Sequence, residues 1–298
     1  MDLPFYRQNI EEFMRDIRFV RRNFVLDEEL HDAVKNRLAM LSDCPEGVEQ
    51  YSEVSTIVSQ CFWGQQDLEC RVAFALVNVF GIMLDDVAPS HKEEYLHSVQ
   101  QYGSRERISW PLFRQLVEHT DYLMSVIPWF QAYLVKRAVD SFASFTYLET
   151  FSPESFKHGD NTVTESFYRQ GTSAYEFYII GVFPFDLDLK EYFFMLPHMG
   201  RLVNEVNEFL SCYKESIIGK EKSLYRFRSL GSGKLLEEVL VDSRSRCVEV
   251  IRFLRDVKTT PRLREALDAF MDRLLNFHFD VDVRYRLSEV GLQFPEFS

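Results

Sequence analysis

Apolar residues recur along this chain at helical spacing, and no run of alternating β-branched residues lies between turn signals, so the pattern predicts helix after helix and no sheet. Caps and breakers place helical stretches near 10–23, 27–41, 48–62, 68–86, 91–102, 111–151, 163–182, 189–215, 234–255 and 261–290, with breaks expected inside the third and sixth. There is no repeat at solenoid period and no low-complexity linker, which leaves one all-α domain over residues 1–298 as the expectation.

One stretch departs from ordinary amphipathic patterning. From Val72 to Leu84 every position is apolar except Asn78, so this helix should be buried all round, and it ends in two adjacent acids, Asp85 and Asp86, before Pro89 halts it. At about 100° per residue Asp85 lies above Gly81, Asn78 and Phe74. Carboxylates at a helix C-terminus oppose its dipole; the alternatives are a solvated helix end or a ligand for a hard divalent cation.

Three further segments carry candidate chemistry. Asn207, Ser211 and Glu215 are spaced by four, which puts an amide oxygen, a hydroxyl and a carboxylate on one helical stripe. That stripe lies opposite Leu202, Val206, Phe209, Leu210 and Tyr213, so periodicity alone favours a solvated face. Near the end of the last expected helix, Arg284 lies above Val281, Phe277 and Phe270 and adjoins Tyr285. A guanidinium and a phenol together match phosphate oxygens, although an arginine paired with Asp282 or Glu289 on a surface helix is the plainer reading. Residues Tyr168 to Ser173 place Arg169 before a Gly-Thr-Ser interruption, a helix break or a simple kink. The basic, Gly-flanked connection from Gly219 to Gly233 is the lid candidate.

Composition sharpens this picture. The 27 Phe, 14 Tyr and 3 Trp make the chain 15% aromatic, enough to fill a core and still line a cavity with rings. A formal charge of -12 disfavours nucleic acid and anionic membrane as partners, since both need a basic surface. Five cysteines without CxxC spacing point to neither a disulfide framework nor a zinc site. The start, Met1-Asp2-Leu3-Pro4, has neither the basic opening of a signal peptide nor an apolar stretch of membrane-spanning length, so a cytoplasmic protein is expected.

Taken in order, Leu84-Asp85-Asp86, the Asn207/Ser211/Glu215 spacing with Ser211-Cys212-Tyr213-Lys214-Glu215, and Arg284-Tyr285-Arg286-Leu287-Ser288-Glu289 resemble the class I terpene synthases, most closely the trichodiene synthase family, over about Ile57 to Glu289. The resemblance implies a single-domain helical bundle around a central active-site cavity and three magnesium ions holding a prenyl diphosphate. Asp85 would bridge two of the ions, and Asn207, Ser211 and Glu215 would chelate the third. Lys214, Arg284 and Tyr285 would hold diphosphate oxygens, Arg169 would sense the diphosphate, and Asp86 would pair with Arg284 on closure. The family usually carries another acid three or four positions after the first; here Ala88 and Pro89 stand there. The implied activity is ionisation of farnesyl diphosphate and cyclisation to a sesquiterpene hydrocarbon or alcohol with release of diphosphate; a homodimer is compatible with it. Cavity candidates from the stripes below the acidic and basic ends are Phe74, Asn78, Phe270 and Phe277, and the amide of Asn78 could hold a water or bend a cation's path. The alternatives are a prenyl chain-elongating synthase, which would normally present a second aspartate-rich motif, and an inactive helical scaffold that binds a protein or hydrophobic ligand.

Overall fold

The protein is all-α: the described residues form α-helices, short 3-10 turns and a π turn, with no strand among them. The computed structural model describes residues 1–22, 24–151, 171, 175–218, 228–229 and 232–295. These fall into two compact units, one made of Met1–Phe24 and Asp188–Ser298, the other of Val25–Ser155 and Gly171–Leu187.

The second unit is built around one helix. It contains α2 (Glu28–Ala39), α3 (Ser52–Trp63), α4 (Leu68–Val87), α5 (Lys92–Ser104), α6 (Pro111–Val126), α7 (Trp129–Phe151) and the short α8 (Tyr175–Ile179). Asp67 caps α4 by accepting a hydrogen bond from the Cys70 amide at 2.8 Å, and Pro89 confines the chain beyond Val87 to a 3-10 turn, Ala88–Ser90. Between them α4 packs against α2, α3 and α6, so that Val72 to Phe80 are buried on every side. With a mean hydropathy of 1.6 over its most apolar window, α4 has the length and composition of a membrane span; 67% of that window is buried inside the unit, the position of a core helix. Both expected breaks occur. The stretch from Val48 begins as a 3-10 turn, Val48–Tyr51, and Pro128 separates α6 from α7.

An aromatic corner closes this unit. Phe74 stacks on Trp63 at 4.7 Å and on Phe177 at 4.4 Å, while the Trp63 indole donates to the Phe177 carbonyl at 3.2 Å. Gly181 lies directly on the Trp63 ring, where a Cβ would come within 2.3 Å of it, so only glycine fits. The Gln66 amide ties the same loop down by donating to the carbonyls of Gly181 at 2.8 Å and Phe183 at 2.9 Å.

The first unit contains α1 (Leu3–Asp16), α9 (Leu196–Cys212), a π turn (Tyr213–Ile218), α10 (Leu236–Asp256), α11 (Pro261–Asp280) and a last turn, α12 (Asp282–Tyr285). The first helix starts at Leu3, not near residue 10, because Asp2 caps it through the Phe5 amide at 2.9 Å and Pro4 fits its first turn. The stretch expected as one helix over 261–290 is interrupted: α11 ends at Asp280, Val281 leaves helical geometry, and Leu287–Val290 is a 3-10 turn. Arg284 is therefore not in helical register with Phe277 and Phe270. The expected stretch 163–182 lies largely outside the described residues.

Candidate functional site

The π turn places the centre of the first unit's candidate site. Asn207 and Ser211 lie one α-helical turn apart on α9, but from Tyr213 the backbone winds more widely, so Glu215 projects from a π turn and not from the same regular stripe. The stripe is not the solvated face that periodicity favoured. Ser211 is 2% exposed and Asn207 and Glu215 are half-buried, so the C-terminal end of α9 is covered there, while Pro197 and Arg201 nearer its start are exposed. On the opposite side of α9, next to Phe209 in helical phase, the buried Glu205 accepts from Arg228 at 3.1 and 3.3 Å and from Arg246 at 3.0 Å.

Two side-chain bridges join this stretch to the C-terminal motif. The Tyr285 hydroxyl donates to the Asn207 amide oxygen at 3.1 Å, and the Tyr213 hydroxyl donates to Glu289 at 3.0 Å. Tyr285 is 4% exposed, set edge-on to Phe277 with ring centroids 5.7 Å apart and against His278 at 4.5 Å. Glu289 also pairs with Arg286 at 2.7 Å. Arg284 and Lys214 are half-buried beside these groups in sequence.

His278 was not singled out by its sequence position, since a histidine on the apolar face of α11 reads as core. Its Nδ1 donates to the Leu274 carbonyl at 2.8 Å. Its Nε2 is buried without a hydrogen-bond partner. Burial, with a smaller contribution from the nearby Arg284 charge, pulls its pKa down to about 4, so at neutral pH the ring is uncharged beside Tyr285.

The remaining candidates belong elsewhere. Asp85 and Asp86 are exposed in the last turn of α4, in the second unit. Phe74 takes part in the aromatic stack described above. Asn78 is buried, donates to the Ser55 hydroxyl at 3.2 Å and accepts from the Tyr178 hydroxyl at 3.2 Å, so its amide is held within a polar chain. Phe270 is a core residue of α11 at 2% exposure, and Phe277 is buried behind Tyr285. Arg169 lies outside the described residues, as does most of the 219–233 connection; within that connection Arg228 is committed to Glu205.

Asn207, Ser211 and Glu215 offer oxygen donors only, which would suit magnesium better than a softer metal. Among the described residues no three His, Cys, Asp or Glu side chains gather as a metal site, so a cation here needs amide and hydroxyl oxygens beside the carboxylate. The Asn207 oxygen already accepts a hydrogen bond, as an electron-pair donor to a cation must be able to do.

No protein-family model matches the chain. A stretch of 116 residues, 38% of the chain, is 30% identical to an (E)-beta farnesene synthase of Metarhizium brunneum (strain ARSEF 3297). That supports a relationship to the terpene synthases. The match covers 34% of the relative, so the chain spans about a third of the length of the protein it resembles.

Proposed function

We propose that the chain is a magnesium-dependent sesquiterpene synthase of the trichodiene synthase type, which ionises farnesyl diphosphate and cyclises the resulting cation. The observation that carries this reading is the hydrogen bond from Tyr285 to Asn207, which unites two motifs 78 residues apart at one place in the first unit. The partial likeness to a farnesene synthase supports the substrate class. Magnesium, when bound through Asn207, Ser211 and Glu215, supplies Lewis-acid stabilisation of charge on the diphosphate. Lys214 and Arg284 add positive charge and Tyr285 a hydroxyl donor, and these favour the leaving group as its negative charge develops. No general base is needed to begin. The roles of Asp85 as a magnesium ligand and of Arg169 and Asp86 in sensing and closure rest on the family resemblance.

The test is incubation of the purified protein with ten-, fifteen- and twenty-carbon diphosphates, with magnesium or with chelator, followed by gas chromatography and a diphosphate assay. The expected result is magnesium-dependent diphosphate release with a cyclic fifteen-carbon product. Release of no diphosphate from any of them would leave the inactive-scaffold reading, and condensation with added isopentenyl diphosphate would leave the chain-elongating one. An open-chain product is the second reading, because the named product of the partial relative, farnesene, is open-chain.

A further inference from the structure

Four arginines converge on one concavity of the first unit, in a chain whose formal charge is -12. Arg18 and Arg22 come from the segment after α1, Arg255 from the last turn of α10, and Arg264 from the first turn of α11. The concavity holds about 380 Å³, within the range of small-molecule sites and larger than a bare phosphate needs.

Two of the guanidiniums are fixed by backbone. Arg255 donates to the Ile17 carbonyl at 2.5 Å, and Arg264 donates to the carbonyls of Leu254, at 2.9 Å, and Val257. Two carboxylates take part: Asp268 pairs with Arg264 at 3.2 Å and Asp272 with Arg22 at 3.3 Å. Among the described residues neither Arg18 nor Arg255 makes a close ion pair with a carboxylate, although Asp268 is near enough to act on Arg255. Burial lowers the Arg255 pKa from its ordinary value; the Asp268 charge opposes that shift, and the Arg18 charge adds to it. Four guanidiniums against the two carboxylates Asp268 and Asp272 leave the opening net positive, which favours an anion there.

The backbone of Arg18 points the same way. The end of α1 is closed by hydrogen bonds from the Arg18 amide to Arg15, at 3.1 Å, and from the Phe19 amide to Met14, at 2.8 Å. This is the arrangement in which glycine normally supplies the left-handed residue, yet Arg18 stands there at φ 51°. The arginine costs conformational energy that glycine would avoid, and no described contact of its side chain offsets it. Beside the cations the wall turns apolar, with Phe19, Met271 and Leu275 each about nineteen-twentieths buried or more and Val20 open to solvent.

We propose that this concavity is a metal-independent binding site for a small organic phosphate, with the phosphate on Arg18 and Arg255 and the apolar portion on Val20, Phe19 and Met271. It shares no residue with the Asn207 and Tyr285 site and does not depend on the function proposed for that site. Phosphate is favoured over a carboxylate because two guanidiniums from different directions match its three terminal oxygens and double charge.

The test is calorimetric titration of the full chain, in the presence of a metal chelator, with phenyl phosphate and with inorganic phosphate. The wild type is expected to bind phenyl phosphate at least about tenfold more tightly than inorganic phosphate, as burial of the ring on an apolar wall implies. Arg18→Gly should weaken phenyl phosphate by about tenfold or more while its Tm stays equal or rises, because glycine suits the left-handed position. Arg255→Met should weaken it likewise, and Asn207→Ala should leave it unchanged. Three results would each overturn the proposal: no binding in chelator, equal affinity of the two phosphates, or parental affinity in folded Arg18→Gly protein. Loss of binding in Asn207→Ala would overturn it too, by moving the phosphate to the other site.

Discussion

Each unit has a helix buried nearly all round, α4 in the second and α9 in the first, and the two are buried by different means. Around α4 the interior is apolar, with Asn78 as its one polar member from Val72 to Leu84. Around α9 it is mixed: Leu202, Val206, Phe209 and Leu210 share the helix with Glu205, Glu208 and Ser211, all buried. The helix α4 is held by area removed from water, whereas the buried polar groups of α9 are tolerable only because arginines meet Glu205, a tyrosine meets Asn207 and a backbone carbonyl meets Ser211. A paired polar interior of this kind is also where chemistry can be housed.

The largest expected effects test that contrast directly. Phe74→Ala should cost the second unit about 3–5 kcal/mol, since it opens a cavity between Trp63 and Phe177. Glu205→Ala in the first unit should cost about 3 kcal/mol or more, because it leaves the Arg228 and Arg246 guanidiniums against a buried wall without their carboxylate. Urea unfolding of both variants measures the two. A loss under about 1 kcal/mol for Glu205→Ala would make its pairing equivalent to a surface ion pair and erase the contrast.

The same contrast explains what can be read from sequence. The uniform apolar run of α4 and its stop at Pro89 are legible, as is the break at Pro128, because hydrophobicity and proline act locally. The stripe of Asn207 and Ser211 reads as solvated although Ser211 is 2% exposed, since periodicity registers which residues are polar and not which distant part of the chain will cover them. The break at Val281 carries no Gly or Pro, so no local signal separates α11 from Tyr285. The start of α1 is a different case: Asp2 and Pro4 are cap signals present in the sequence, and an expected start near residue 10 passes over them. Of the site, the spacing of Asn207 to Ser211 is legible, but its meeting with Tyr285, and that of Tyr213 with Glu289, are tertiary facts.

Two histidines, one half-buried and one buried, give a pH test with one member in each unit. His119 stacks on Phe80 at 5.1 Å in the second unit, and His278 lies against Tyr285 in the first; burial pulls both pKa values down to about 4. Between pH 6.5 and 4 the unfolded chain takes up protons that the folded chain refuses, so stability is full above 6.5, falls through that window, and falls no further on their account below 4. Each histidine should contribute a loss of about 3 kcal/mol across the window. Unfolding free energies measured between about pH 7 and 4 should show a shallower slope in His119→Phe and in His278→Phe. An unchanged slope in His278→Phe would mean that its ring is hydrated and that the first unit is wetter around Tyr285 than its 1% exposure implies.

The smallest stability change, and the one that separates structure from chemistry, belongs to Tyr285→Phe. The substitution keeps the ring against Phe277 and His278 and removes only the hydroxyl that donates to Asn207, so unfolding free energy should fall by about 1 kcal/mol. If that hydroxyl served packing alone, the kinetic constants for prenyl diphosphate would be parental. Under the proposed function it would have a second task, donation to a diphosphate oxygen, and the Asn207 oxygen would be a ligand for magnesium. Tyr285→Phe should then raise KM for farnesyl diphosphate on the order of tenfold, a loss of about 1.4 kcal/mol in kcat/KM, and leave the magnesium concentration for half-maximal rate unchanged or lower. Asn207→Ala should instead raise the magnesium requirement. The two variants touch the two ends of one hydrogen bond, so opposite metal dependences would assign the ends to different partners, and identical ones would return the bond to a structural role.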